Sequence, residues 1–271
     1  MTTYPYSSTH RIEQVTVGRL RKDLSMTGRM SSVTPRPRGI EDPSREPAAY
    51  RNLLAPLGIG PQLLDSGHDW VVLEHVGARE LWQIGEIEVW TDVAAWVATL
   101  HRTLAVEIDR CSGVPLLAYD EALYQLWRER AVANGLASSV IEAHRRATDR
   151  LLGLERTVIH GDLYASNLLV EYTESIRVWP IDWELIGMGP AVLDLAALTA
   201  GSWSPDARRA MARAYFETVG YPRSESEQFL DLCAARLHLC IQWIGAAPDW
   251  TSPPLHSHNW RAEAYEMASE V

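Results

Sequence analysis

The sequence predicts an α+β chain in two lobes, a small antiparallel-sheet lobe over residues 1–76 and a mostly helical lobe over residues 77–271. Three observations predict it. The N-terminal stretch alternates short strand-like runs with one amphipathic helix. Residues 91–152 hold three successive helical patterns with apolar stripes. Between residues 157 and 181, three short runs rich in Val, Ile and Leu read as strands that interrupt the helices.

Taken in order, the 21 residues before Lys22 have room for two or three short strands at roughly 3.3 Å per residue, with Gly18 the sole glycine. Residues 25–44, rich in Pro and Arg (Arg36, Arg38), read as a loop. Glu46 begins a helix whose buried side is Ala49, Tyr50, Leu53 and Leu54. Residues 58–61 end it, and strands at 62–65 and 70–73 follow, joined by a turn. Helices are expected at about 91–105, 117–134 and 138–152, the last two stopped by Gly135 and Gly153. Ser204 before Pro205 is a helix N-cap, and Ser224 with Glu227 makes a capping box. With Gly220 and Gly245 as stops, the last seventy or so residues read as two helices and a tail.

A chain of 271 residues can bury a substantial core but not two large independent domains. No apolar run approaches the ~18 residues of a membrane span, and the N-terminus lacks the basic-then-apolar pattern of a signal peptide. A cytoplasmic protein without a membrane partner is expected. Cys111, Cys233 and Cys240 read as buried thiols.

The most informative stretch runs I-H-G-D-L-Y-A-S-N-L-L-V from Ile159, followed by I-D-W-E from Ile181. Asp162 falls in a short loop after an apolar strand, where its carboxylate can accept a proton from a hydroxyl. Asn167, five residues on, opens the next strand with a neutral amide oxygen beside that base. Asp182 closes a third strand with a charged oxygen of the kind magnesium prefers. Two acids and an amide in this order are the parts of a catalytic loop and a metal loop for phosphoryl transfer. His160 reads as a brace for the loop.

Composition adds a second signal. Of 25 basic residues only Lys22 is lysine, so position 22 calls for a compact ammonium on a flexible stem and not a planar fork. Such a group grips the phosphates of a nucleotide when a helix glutamate steadies it. Glu46 is the candidate partner.

These residues resemble the aminoglycoside phosphotransferase and choline kinase superfamily, small-molecule kinases related in fold to protein kinases. That family carries H-G-D-x-x-x-x-N, matched by His160, Gly161, Asp162 and Asn167, and I-D-[WF]-E, matched by Ile181, Asp182, Trp183 and Glu184. The resemblance implies a protein-kinase-like fold and ATP or GTP with Mg2+ as cofactors. It implies Asp162 as catalytic base, Asn167 and Asp182 as metal ligands, and Lys22 with Glu46 as donor grip. The Glu74 carbonyl and the Val76 amide fall where the kinase hinge recognises adenine, and Asp194 on the following helix is a structural anchor. The C-terminal helices of the family line the acceptor pocket, which makes Trp203, Trp243, Trp260 and Glu263 candidates, with Asp249 and Trp250 favoured because they lie in a loop. The glycine-rich lid of such kinases is abbreviated here, its nearest equivalent being a turn at Ser7, Ser8 and Thr9.

Charge narrows the acceptor. Residues 1–76 hold nine basic and eight acidic side chains, net +1, and residues 77–271 hold sixteen and twenty-seven, net −11. So acidic a lobe favours a cationic acceptor, such as an aminosugar or a choline-like amine, and disfavours nucleic acid. The competing reading is a catalytically silent kinase-like protein that holds a nucleotide or metabolite in the same cleft, for which the short lid speaks.

Overall fold

The structure is a computed structural model describing residues 11–16, 18–24, 40–246 and 258–271. The turn at Ser7–Thr9, Arg36 and Arg38, and both Asp249 and Trp250 lie outside the described residues. The chain packs as two compact units. One comprises Met1–Val89, Val106–Leu117 and His160–Gly187, and the other Trp90–Ala105, Ala118–Ile159 and Met188–Val271. The segment carrying Asp162, Asn167 and Asp182 falls in the same unit as the N-terminal sheet.

In the first unit, β1 (Arg11–Thr16), β2 (Arg19–Asp23), β3 (Leu63–Ser66) and β4 (Trp70–Glu74) form an antiparallel sheet in the order β1-β2-β4-β3. Register pairs Lys22 with Val71, so the lysine shares a sheet face with a fully buried valine. Helix α1 (Arg45–Ala49) continues through a π-helical turn (Tyr50–Leu54) into α2 (Ala55–Leu57), which ends on the left-handed Gly58. Tyr50, Leu53 and Leu54 are wholly buried, the i, i+3, i+4 face expected from the sequence.

The same unit holds the short strand β5 (Arg79–Glu80) and the hairpin β8 (Leu168–Tyr172) and β9 (Ile176–Pro180), in the order β5-β8-β9. Register pairs Leu168 with Pro180. The residues just beyond, Asn167 and Ile181, are therefore neighbours, and the Ile181 amide donates to the Asn167 carbonyl at 2.9 Å.

Helix α3 spans Ile87–Val106. The second unit is built on α4 (Glu121–Ala133), α5 (Ser138–Leu152), α6 (Val192–Leu198), α7 (Pro205–Val219), α8 (Glu225–Ala246) and α9 (Trp260–Ala268). The short strands β6 (Leu117–Ala118), β10 (Gly187–Pro190) and β7 (Arg156–Ile159) make a small sheet in that order. Helix α8 is the central one: Asp231 through Ile241 are buried on every side, and the polar members of that stretch are held by partners, Asp231 by Arg150, Arg236 by Glu263 and His238 by His144. It packs against α4, α5, α6 and α9.

Both expected caps form. Ser204 Oγ accepts from the Ala207 amide at 3.2 Å, and the Ser224 amide donates to Glu227 Oε2 at 3.0 Å. Two expectations need correction. Gly245 does not stop α8, which runs to Ala246; a Cβ there would sit 3.0 Å from the Trp127 ring, so this glycine serves close packing. The tail holds a further helix, α9, capped by Asn259 and buried through only Ala264, Met267 and Glu263, too sparse a stripe to read from sequence. Among the described residues no helix is long and apolar enough to cross a membrane.

Candidate active site

Lys22 is 8% exposed, and its Nζ lies 2.7 Å from Glu46 Oε2, 2.6 Å from Asp182 Oδ1 and 2.7 Å from Glu184 Oε1. One ammonium from β2 thus serves three carboxylates, one from α1 and two from the loop after β9. Burial works against the lysine's charge, but the three acids together outweigh it and hold its proton well above the ordinary lysine range. Glu46, 1% exposed, is pushed up to about 7 by burial, against the pull of Lys22. The three acids have oxygens within 4.8 Å of one another, so negative charge there exceeds what one lysine neutralises.

Local backbone explains the convergence. Asp182 is the only described non-glycine residue at positive φ (68°), a conformation Asp tolerates better than most side chains and that costs roughly 1–3 kcal/mol. From that turn the chain enters a 3₁₀ turn, Trp183–Leu185. Asp182 and Glu184 both reach Lys22, while Trp183 between them is fully buried. The Trp183 amide donates to Glu46 Oε1 at 3.3 Å, its indole N–H to the Pro180 carbonyl at 3.2 Å, and its ring tilts against His160 at 4.4 Å. Arg45, beside Glu46, donates through NH1 to the Glu184 carbonyl at 2.8 Å.

The other loop is laced to this one through backbone. His160, fully buried, donates from Nε2 to the Ile181 carbonyl at 2.9 Å and accepts at Nδ1 from the Asp162 amide at 3.2 Å, which fixes its tautomer. Gly161 at φ 81° makes the turn. Asn167 Nδ2 donates to the Asp162 carbonyl at 2.7 Å and to Asp162 Oδ2 at 3.2 Å. With the amide nitrogen engaged on Asp162, its oxygen is the atom left to face a cation.

Two carboxylates and an amide oxygen are hard ligands that suit magnesium with its preference for oxygen donors, and the uncompensated negative charge favours a divalent cation. Asp182, Glu184 and Asn167 would hold it. Glu184 was not singled out as a ligand from sequence, although it stands in the same I-D-W-E run; the 3₁₀ turn is what aims it at Lys22. Arg45 had no sequence signal, since what it holds in this loop is a backbone carbonyl.

Glu74 ends β4, exposed, its amide donating to the Gln62 carbonyl at 2.9 Å; Val76 follows in an irregular segment, half-buried. Of the candidates on the C-terminal helices, Glu263 is 7% exposed and held by Arg236 and His258, which makes it a structural acid. Trp243 stacks on Trp260 at 5.3 Å, and Trp203 meets Trp90 edge-on at 4.5 Å. Asp194, fully buried, is bound to His101 at 3.0 Å.

Residues 34–230 match the model of the phosphotransferase enzyme family. The chain belongs to that family. Its protein-kinase-like fold is shared with solved structures. The choline kinase LicA from Streptococcus pneumoniae superimposes with a TM-score of 0.69 at 16% identity, covering 99% of this chain and 92% of that one. The GDP complex of aminoglycoside 2'-phosphotransferase-IIIa gives 0.65 at 14%, covering 99% and 90%. Macrolide 2'-phosphotransferase MphH from Brachybacterium faecium gives 0.61 at 16%, covering 99% and 91%. A curated 4-hydroxytryptamine kinase from Psilocybe cyanescens is 30% identical over 80 residues, which is 28% of this chain and only 22% of that protein.

Proposed function

We propose that this phosphotransferase is a small-molecule kinase that moves the γ-phosphoryl group of ATP or GTP to a hydroxyl of a small cationic acceptor, of the aminosugar, choline-like or arylalkylamine class. The observation that carries this reading is the Lys22 cluster, with Glu46, Asp182 and Glu184 on one ammonium, in the same compact unit as the Asp162–Asn167 pair.

Asp162 accepts the hydroxyl proton and aims the oxygen; its carboxylate is oriented by Asn167 and its backbone by His160. Lys22, steadied by Glu46, supplies positive charge to the donor phosphates. Asp182, Glu184 and Asn167 would hold magnesium, which would supply charge neutralisation at the phosphates. The Glu74 carbonyl and the Val76 amide are assigned to the nucleotide base. Most of the acceleration in such a site comes from positioning and charge neutralisation. The acidic balance of residues 77–271 supports a cationic acceptor, and the local likeness to a kinase of a hydroxylated amine agrees with it.

The test is a thermal-shift screen of ATP and GTP with and without magnesium, followed by mass spectrometry of aminosugars, choline-like alcohols and hydroxytryptamines for an added phosphate. Both donors belong in the screen because structural neighbours hold AMP in one case and GDP in another. Nucleotide binding without transfer to any acceptor would favour the silent binder.

A further inference from the structure

Arg45 is 4% exposed, and its guanidinium donates to three backbone carbonyls: Pro115 at 2.7 Å from Nε, and Ile40 at 2.7 Å and Glu184 at 2.8 Å from NH1. Three chain segments therefore converge on one side chain. Two of them run together, since the Leu117 amide donates to the Ile186 carbonyl at 3.1 Å. The adjacent Glu46 takes the Trp183 amide. The first turn of α1 thus holds the metal loop at two consecutive residues, by the N–H of Trp183 and by the C=O of Glu184.

Between these anchors and the end of β9 lies Asp182 in its left-handed conformation, which the surroundings must impose. A guanidinium is costly to bury, and an aliphatic side chain would fill the same space without that cost. What the arginine adds is a planar set of donors that reaches carbonyls in several directions at once.

We propose that Arg45 is a positioning residue for the proposed phosphoryl transfer: it fixes the backbone at Glu184 so that Asp182 and Glu184 keep the geometry that accepts a divalent cation. The inference rests on the reading of this loop as the metal loop. Lysine at position 45 can satisfy one or two of the carbonyls but not the fork.

The experiment compares wild type with Arg45→Met and Arg45→Lys by hydrogen exchange of the apo protein, and by magnesium titration of fluorescent-nucleotide binding. Loss of the clamp should speed amide exchange in residues 181–187 by about tenfold to a hundredfold, the range given by one charged hydrogen bond, while α5 exchanges as in wild type. The magnesium concentration for half-maximal nucleotide binding should rise in parallel. If Arg45→Met does not fold, Arg45→Lys is judged by the same comparison. Exchange in 181–187 at the wild-type rate would overturn the inference, and so would equal acceleration of that segment and α5, which would make Arg45 a general fold residue. Should wild type bind nucleotide without any need for a divalent ion, the kinase reading fails, whereas the exchange comparison still decides whether Arg45 clamps the loop.

Discussion

The Lys22 ammonium lies 2.6 Å from Asp182 Oδ1, joining residues 160 positions apart in the chain. The contact shows that the sole lysine acts as counter-ion to the loop proposed to hold magnesium. It also sets what each substitution should do.

Asp182→Asn should abolish phosphoryl transfer and magnesium-dependent nucleotide binding while leaving the fold intact. Asparagine tolerates the left-handed backbone about as well as aspartate, and the change removes a charged ligand without changing side-chain volume. Calorimetry decides it: unchanged magnesium and nucleotide affinity in the mutant would sink the metal assignment.

Lys22→Arg should be nearly as damaging as Lys22→Ala. Three carboxylate oxygens sit 2.6–2.7 Å from a single nitrogen, and a guanidinium is too wide to occupy that point. Steady-state kinetics on both variants test this, and full activity with arginine would reduce position 22 to an ordinary cation.

Asp162→Asn should lower turnover by about 10²-fold to 10⁴-fold, the contribution of a general base, with nucleotide affinity little changed. Parallel measurement of transfer and nucleotide binding separates the two effects. Transfer at the wild-type rate in the mutant would end the catalytic assignment of Asp162.

Acid should destabilise the fold below about pH 6.5 through two histidines. His144 and His238 are buried, stacked at 5.4 Å, and joined at 3.2 Å. Burial, with repulsion from His238 and Arg128, holds His144 well below the usual 6.5; burial, with Arg128, brings His238 to about 3. Between those values the unfolded chain binds protons that the folded chain refuses. Stability is therefore complete above pH 6.5 and falls as the pH drops, at up to about 1.4 kcal/mol per pH unit per histidine. Denaturant midpoints between pH 7 and 4 should show a shallower slope in His238→Gln than in wild type, and identical slopes would refute the account.

The sequence by itself determined the kinds of element and the candidate residues for the chemistry. Strands near residues 63, 70, 157, 168 and 176, and a helix over Ser138–Leu152, were legible because each has a local period and a local stop signal. Asp162, Asn167 and Asp182 were legible because their spacing is tied to the turns that separate those strands. Lys22 stood out by composition alone, as one lysine among 25 basic residues.

Only the tertiary structure decided what these residues meet. Glu184 joins the cluster because a left-handed Asp182 and a 3₁₀ turn aim two carboxylates at one ammonium, a geometry no pattern of residue types encodes. Arg45 was invisible because the groups it holds at Ile40, Pro115 and Glu184 are carbonyls, which every residue possesses. Gly245 and α9 were misread because their reason for being lies in packing against neighbouring helices, and a short or closely packed segment leaves no period to read. Local hydrogen-bond chemistry is written in the sequence residue by residue, whereas the meeting of β2, α1 and the metal loop depends on contacts across up to 160 positions, which only a folded chain makes.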